Sequence, residues 1–241
     1  MHAADLQVRE GRPVVGGVYV NGCGPYIFLL DTGSNVNLIE AGLARKIGMN
    51  STFQSDLASA VGKTAMLGST GHQVALDAVK ADGQTFLLSK SKVIHRFGHH
   101  VQGVLGQSFL SKFDYTLDLR GKRLEFGKRY PDGKRSRFRI VNARPVVTTS
   151  LGDLVLDSGS AELVLFGVDP DTPELAYMRT VAGSQLVGTV SRRLIIENRY
   201  VWHGDAIAMP NQAEPEVAGL MPARLFKTIF VCNSEGYVVF E

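Results

Sequence analysis

Tyr26-Ile27-Phe28-Leu29-Leu30 leads into Asp31-Thr32-Gly33-Ser34, and Leu154-Val155-Leu156 leads into Asp157-Ser158-Gly159-Ser160. Each apolar run has the length of a buried strand, and each ends in a turn sequence that carries a carboxylate. A lone Asp-Thr-Gly or Asp-Ser-Gly is an ordinary Asx-turn, in which the side chain bonds to main-chain N–H groups of its own turn. Two copies with the same lead-in point to two carboxylates meeting across an approximate twofold, the arrangement needed to activate a water molecule.

The segments downstream of the two turns also repeat. Gly103-Val104-Leu105-Gly106 precedes Phe113-Asp114-Tyr115-Thr116-Leu117-Asp118 and a hairpin over 119–126 turning at Arg120-Gly121-Lys122; Gly219-Leu220-Met221-Pro222 precedes Thr228-Ile229-Phe230-Val231-Cys232 and a hairpin through Asn233-Ser234-Glu235-Gly236. From Asp31 to Gly103 is 72 residues and from Asp157 to Gly219 is 62. Placing a middle hairpin tip at Gly68-Ser69-Thr70-Gly71 in the first half and at Gly183-Ser184 in the second puts most of the surplus over 50–62, with Gly62 as the alternative first tip. A helix is expected over 40–47, ended by Gly48. The rest reads as short strands separated by Gly, Asn and Asp, so the fold class is mainly β.

Composition sets the outer limits. The 241 residues suit one large domain or two small ones, and a net charge of +3 does not by itself imply a nucleic-acid partner. No apolar stretch approaches the roughly 18 residues of a membrane span. Cys23 and Cys232 make neither a disulfide framework nor a zinc site, although the two could pair. Residues 127–142 carry Lys128, Arg129, Lys134, Arg135, Arg137 and Arg139 around Pro131-Asp132-Gly133, which reads as a solvated linker without the aromatics of a nucleic-acid surface. His95, His99 and His100 lack acidic or Cys partners at ligand spacing. Gly62-Lys63-Thr64 imitates the end of a phosphate-binding loop, but Leu57 occupies the first glycine position. Asn50-Ser51-Thr52 is a formal glycosylation sequon, and His203 beside Trp202 reads as a packed or surface histidine. The N-terminus shows no signal peptide; Met1-His2-Ala3-Ala4-Asp5 fits a processed mature end, which leans towards a periplasmic or secreted location.

With both Asp turns and their downstream partners in view, the chain resembles the retropepsin-like aspartic proteases. It looks like two retropepsin-type lobes fused in one polypeptide, similar to bacterial aspartyl protease families and more distantly to the two-lobed pepsins. The resemblance spans roughly residues 12–126 and 146–240. It implies two β-barrel lobes in a pseudo-twofold arrangement with the active cleft between them: residues 1–126, a basic linker over 127–145, and residues 146–241.

The resemblance also assigns roles. Asp31 and Asp157 would be the catalytic pair, with Gly33 and Gly159 allowing close backbone approach. Thr32 and Ser158 match hydroxyls that brace the two loops against each other, and Ser34 and Ser160 match hydroxyls that bond to the carboxylates. Gly68, Ser69, Thr70 and Gly71, with Gly183 and Ser184, would be flaps over an extended peptide. Pro222 and the absence of a second helix matching 40–47 depart from the family pattern. The reading calls for no metal and no cofactor. It describes an aspartic endopeptidase whose partner is a peptide or protein substrate, active at acidic pH as a monomer, with a homodimer as the alternative. A different class remains open: a peptide-binding module that keeps the cleft but not the chemistry.

Overall fold

The computed structural model describes residues 3–59, 62–98, 100–127, 132–180, 183–211 and 214–241. Alternating apolar and polar residues, broken by Gly, Asn and Asp turns, produce a chain of strands with little helix. The first half runs β1 (Ala3–Arg9), β2 (Arg12–Val20), β3 (Cys23–Leu30), β4 (Asn37–Glu40), α1 (Ala41–Lys46), β5 (Phe53–Ser59), β6 (Gly62–Leu76), β7 (Val79–Ser89), α2 (Ser91–Ile94) with a 3-10 turn at His95–Phe97, β8 (Gly103–Leu105), α3 (Gln107–Leu110), β9 (Tyr115–Asp118) and β10 (Arg123–Phe126). The second runs β11 (Arg135–Val141), β12 (Arg144–Thr149), β13 (Gly152–Asp157), β14 (Val164–Phe166), β15 (Thr172–Thr180), β16 (Gly183–Ile196), β17 (Arg199–Met209), β18 (Gly219–Pro222), a 3-10 turn at Ala223–Leu225, β19 (Thr228–Cys232) and β20 (Tyr237–Phe240).

Both halves build the same sheet. The first pairs in the order β1–β2–β3–β8–β4–β7–β6–β5. The second pairs as β11–β12–β13–β18–β14–β17–β16–β15. The register around the Asp turns matches too: Phe28, Leu29 and Leu30 lie beside Gly103, Val104 and Leu105, as Leu154, Val155 and Leu156 lie beside Gly219, Leu220 and Met221. A third sheet, β1–β10–β9–β19–β20–β11, joins the halves. At its centre Thr116 opposes Phe230, flanked by Leu117↔Ile229 and Tyr115↔Val231, and exchanging the halves exchanges these flanking pairs. Buried Leu30, Phe86, Leu105, Phe109, Leu156, Met221 and Ile229 belong to one apolar core that runs through both halves. Among the described residues, no helix is long and apolar enough to cross a membrane.

Two sequence expectations need correction, and one open alternative is decided. First, the basic stretch is not a solvated linker throughout. Residues 128–131 lie outside the described residues, but from Arg135 onward the chain is strand β11, bonded to both β20 and β12. Its cations are matched: Lys134 with Glu197 and Arg139 with Asp153, each at 3.0 Å, and Arg135 lies 4.6 Å over the Tyr237 ring. A charge run on one face of a strand looks the same in sequence as a solvated loop.

Second, Gly68-Ser69-Thr70-Gly71 is not a hairpin tip. β5 and β6 pair from Phe53↔Gly68 to Ser59↔Gly62, so the end of the hairpin lies beside the alternative site Gly62, next to residues 60–61, which lie outside the described residues. The Gly-rich stretch lies mid-strand, where the pairing to β7 slips between Ser69 and His72 and Gly71 takes φ +89°. These residues make a bulge, the other use a strand has for glycine. A chain of hydrogen bonds holds the bulge. Asn21 Nδ2 lies 3.0 Å from His72 Nδ1, His72 Nε2 lies 2.7 Å from Ser69 Oγ, and Ser69 Oγ donates to the Asn50 carbonyl at 2.5 Å. In the second half Thr180 pairs with Gly183, so Gly183 and Ser184 do open β16 at the tip, beside residues 181–182, which lie outside the described residues. Counted from the last strand pairs, Ser59↔Gly62 and Thr180↔Gly183, the first half's surplus splits into five residues before the hairpin end and five after it. The after-tip share coincides with α2 and its 3-10 turn. Helix α1 forms where expected and ends before Gly48 at φ +73°.

The open question of a Cys23–Cys232 bridge is decided against pairing: both thiols are free, Cys23 exposed and Cys232 buried.

Candidate active site

Each Asp sits where its strand ends and the parallel neighbour continues alongside. The Asp31 N–H donates to the Leu105 carbonyl at 3.0 Å, and Asp157 is paired with Pro222. The Asx-turns predicted from sequence are present. Asp31 Oδ1 accepts the Gly33 N–H at 2.9 Å, and Asp157 Oδ1 accepts the N–H groups of Gly159 and Ser160 at 2.8 and 2.9 Å. The local turn and the cross-half pairing are therefore made by the same carboxylates.

Thr32 and Ser158 lock the two turns together in buried surroundings. The Thr32 N–H donates to Ser158 Oγ at 3.0 Å, and the Ser158 N–H donates to Thr32 Oγ1 at 2.9 Å. Thr32 Oγ1 donates to the Leu156 carbonyl at 2.6 Å, and Ser158 Oγ to the Leu30 carbonyl at 2.7 Å. Each hydroxyl both accepts from and donates to the opposite half, which a methyl-bearing side chain cannot do. Gly33 and Gly159 bring the backbones against the opposing carboxyls: a Cβ on Gly33 would lie 2.6 Å from both Asp157 oxygens, and one on Gly159 would lie 2.6 Å from Asp31 Oδ1.

The carboxyls of Asp31 and Asp157 come within hydrogen-bonding reach of each other. Both are pushed above the ordinary carboxylate range, first by loss of solvent. For Asp31, which rises well above it, the neighbouring Asp157 charge comes next. Asp157 rises less, because the Ser160 and Gly159 N–H groups and its bond with Asp31 favour its charged form. Two such groups hold one proton between them over a range of pH and titrate as a pair.

The expected hydroxyl bonds from Ser34 and Ser160 to the carboxylates are not formed. Ser34 Oγ donates to the Val36 carbonyl at 2.8 Å and Ser160 Oγ to the Glu162 carbonyl at 2.7 Å. Main-chain N–H groups reach the carboxylates first, and the hydroxyls stabilise the following bend.

Both carboxyls open into a cavity of about 700 Å³. Leu38, Leu57, Phe97 and Val104 line its first-half side, and Val164, Phe166, Met178, Ile207 and Leu220 its second-half side. Leu57 and Met178 lie shortly before the two hairpin tips, so both hairpins reach the cavity. His95 is 3.8 Å from Glu40, and His99 lies outside the described residues. Among the described residues, no group of three His, Cys, Asp or Glu side chains could hold a metal ion.

Residues 17–109 match the family model described as aspartyl protease. The crystal structure of basic 7S globulin from soybean aligns over 100% of this chain and 94% of its own, with a TM-score of 0.60 and 11% identity, a likeness of fold. Over residues 17–109 the chain is similar to the aspartyl proteases, and over its whole length it shares the fold of the globulin. A retropepsin-like aspartic protease from Rickettsia conorii is 18% identical over 52% of this chain and 87% of its own, with a TM-score of 0.36. No curated protein matches the chain.

The irregular second half has a physical explanation. Pro222 follows Met221 as Gly106 follows Leu105. The Gly106 N–H donates to buried Asn37 Oδ1 at 2.9 Å, and a Cβ on Gly106 would lie 2.7 Å from the Ser34 carbonyl oxygen. Six residues beyond Asp157, where Asn37 stands beyond Asp31, is buried Leu163. The Leu163 side chain offers no acceptor and Pro222 no N–H, so the polar pair is replaced by an apolar one.

Among the cavity residues that sequence reasoning missed are two cations, Arg12 and Arg144. A signal was present: Arg12-Pro13-Val14-Val15 recurs as Arg144-Pro145-Val146-Val147. It went unread because Arg-Pro before two valines is also what the start of any strand can look like.

Proposed function

We propose that the chain is an aspartic endopeptidase and that Asp31 and Asp157 are its catalytic pair. The observation that carries the reading is the meeting of these two carboxyls, each from its own half, at an open cavity of peptide-binding size. One carboxyl is ionised and the other protonated. The ionised member takes a proton from water as the water oxygen bonds to the scissile carbonyl carbon. The protonated member gives its proton to the carbonyl oxygen, leaving a tetrahedral diol. When the C–N bond breaks, the nitrogen takes the proton gained from water, and a diol hydroxyl returns its proton to the other carboxyl. The pair ends with the single proton it began with. One chain supplies both groups, so the active species is a monomer and the substrate is a peptide laid across the cleft beneath the β5–β6 and β15–β16 hairpins.

The test is digestion of a peptide library across pH, run beside Asp31→Asn and Asp157→Asn. Each amide variant is expected to lose cleavage by about a thousandfold or more while staying folded, because groups that act as a unit fail together. Activity within about tenfold of the parent in either variant overturns the shared-carboxyl mechanism. Binding of peptides without cleavage by the parent favours the binding-module reading.

A further inference from the structure

Beside Asp157 the cavity wall carries a charge that the water-activation chemistry leaves unused. Arg144 opens β12, directly after a turn at Asn142 and Ala143, and is 9% exposed. Its two terminal nitrogens donate to the two carboxylate oxygens of Glu214, Nη1 to Oε1 at 3.0 Å and Nη2 to Oε2. This fork fixes the plane of the guanidinium. The remaining Nε–H is buried with no partner.

Arg12 holds the equivalent place at the start of β2 but does something else. Its Nε–H donates to the Gly159 carbonyl at 2.7 Å, and Nη1 pairs with Glu10 at 3.3 Å. Arg12 therefore fastens the loop that carries Asp157. Arg144 is held in place by an acid on the cavity wall that also contains Asp157. The two halves share a backbone register, yet their equivalent cations have different partners.

We infer that Arg144 is a positioning residue that removes the equivalence of the two carboxyls: held by Glu214, it keeps the negative charge of the pair on Asp157 and the shared proton on Asp31. This rests on the reading of Asp31 and Asp157 as the catalytic pair. It makes Asp157 the group that takes the proton from water and Asp31 the group that protonates the carbonyl oxygen. The strand register supplies the geometry: Val146 on β12 opposes Val155 on β13, and Arg144 and Asp157 each lie two residues beyond that pair at the same end of the ladder. The Arg144 charge favours ionised Asp157, after the Ser160 N–H, the bond with Asp31 and the Gly159 N–H, and it is not among the causes acting on Asp31. The other charged groups of the cavity are Arg12 with Glu10 and Arg224 with Glu162, each cation beside its own acid.

The experiment is a carboxyl-carbon NMR titration of the protein labelled at aspartate, with Asp31→Asn and Asp157→Asn used to assign the two signals. It runs beside the pH profile of kcat/KM. In the parent, the first deprotonation of the pair should appear mainly at Asp157. Arg144→Met should move that step to higher pH and spread it over both signals, with kcat/KM falling about threefold or more on the acid side and less at the maximum. Arg144→Lys, which keeps the charge, should restore the order of titration. Glu214→Gln, which removes the countercharge, should move the Asp157 step to lower pH. An unchanged titration in Arg144→Met, with only a lower melting temperature, overturns the inference and leaves Arg144 a structural residue. So does a Lys variant that titrates like the Met variant. A parent that cleaves no peptide defeats the proposed function, and the NMR arm still decides whether Arg144 sets the order.

Discussion

A methyl group on residue 33 has no free space, because the Asp157 carboxyl already fills it. Gly33→Ala and Gly159→Ala are each expected to push the carboxyls apart and cost about a hundredfold or more in peptide cleavage. Gly16→Ala is the control: a Cβ there meets nothing within 4 Å, so activity and melting temperature should hold. Thr32→Val tests the lock beneath the carboxyls. It leaves the buried Ser158 N–H and the Leu156 carbonyl without the partner each has now, at a cost of about 2 kcal/mol or more in urea unfolding. Ser158→Ala should cost a similar amount, and the double variant less than the sum, since both remove one network. A fully additive cycle would show that the hydroxyls do not act together. At this scale the Asp, Thr, Ser and Gly positions were legible because a tripeptide that recurs with both its lead-in and its downstream partner is rarely a chance turn. Ser34 and Ser160 were misread because sequence names a donor without saying whether a main-chain N–H reaches the acceptor first. Arg12 and Arg144 were overlooked because their repeat lies in a strand rather than a turn.

At the scale of elements, the succession of parts along each half followed from the repeat, but the middle hairpins did not. Gly68 to Gly71 has turn composition and serves as a bulge; the hairpin end beyond the Ser59–Gly62 pair had only Gly62 to mark it. What decides between the two uses is whether neighbouring strands continue past the glycine, and that is a long-range fact. The basic stretch failed in the same way, since β11 is defined by its partners β12 and β20 rather than by its own pattern. The bulge itself leads to a prediction. Burial lowers the His72 pKa from its ordinary 6.5, so the folded state resists protonation while the unfolded chain accepts it. Stability is then full above about pH 6.5 and declines as the pH falls from there towards the folded value. His72→Gln keeps a polar side chain between Asn21 and Ser69 without a titrating group. Melting curves between pH 7.5 and 5 should show a smaller acid-side loss for this variant than for the parent, and parallel losses would remove His72 as the cause.

For the whole molecule, a sheet shared by both halves and two carboxyls from one chain predict that specific activity stays constant on dilution; a collapse on dilution would point to an obligate dimer instead. The shared proton sets activity and stability against each other. Burial raises both carboxyls above the unfolded value of 3.8, and the Asp157 charge raises Asp31 further, so between that value and the folded titration the native chain holds more protons than the unfolded one. The pair's contribution to stability is therefore most favourable at acidic pH and is lost as the pH rises through the folded titration. Catalysis needs one proton on the pair and fades over the same alkaline limb, which gives a bell-shaped profile with no maximum above pH 8. Asp31→Asn keeps an oxygen for the Gly33 N–H and removes one of the two opposed charges. The variant should be inactive yet melt higher than the parent at pH 8. A gain of a few degrees is expected, where about 1 kcal/mol moves the midpoint of a chain this size by about 2–4 °C. The gap should close as the pH falls towards 4. A variant that melts no higher at pH 8, or whose advantage grows on acidification, would mean that the carboxyls do not repel each other in the folded protein, and the shared-proton account would fail with them.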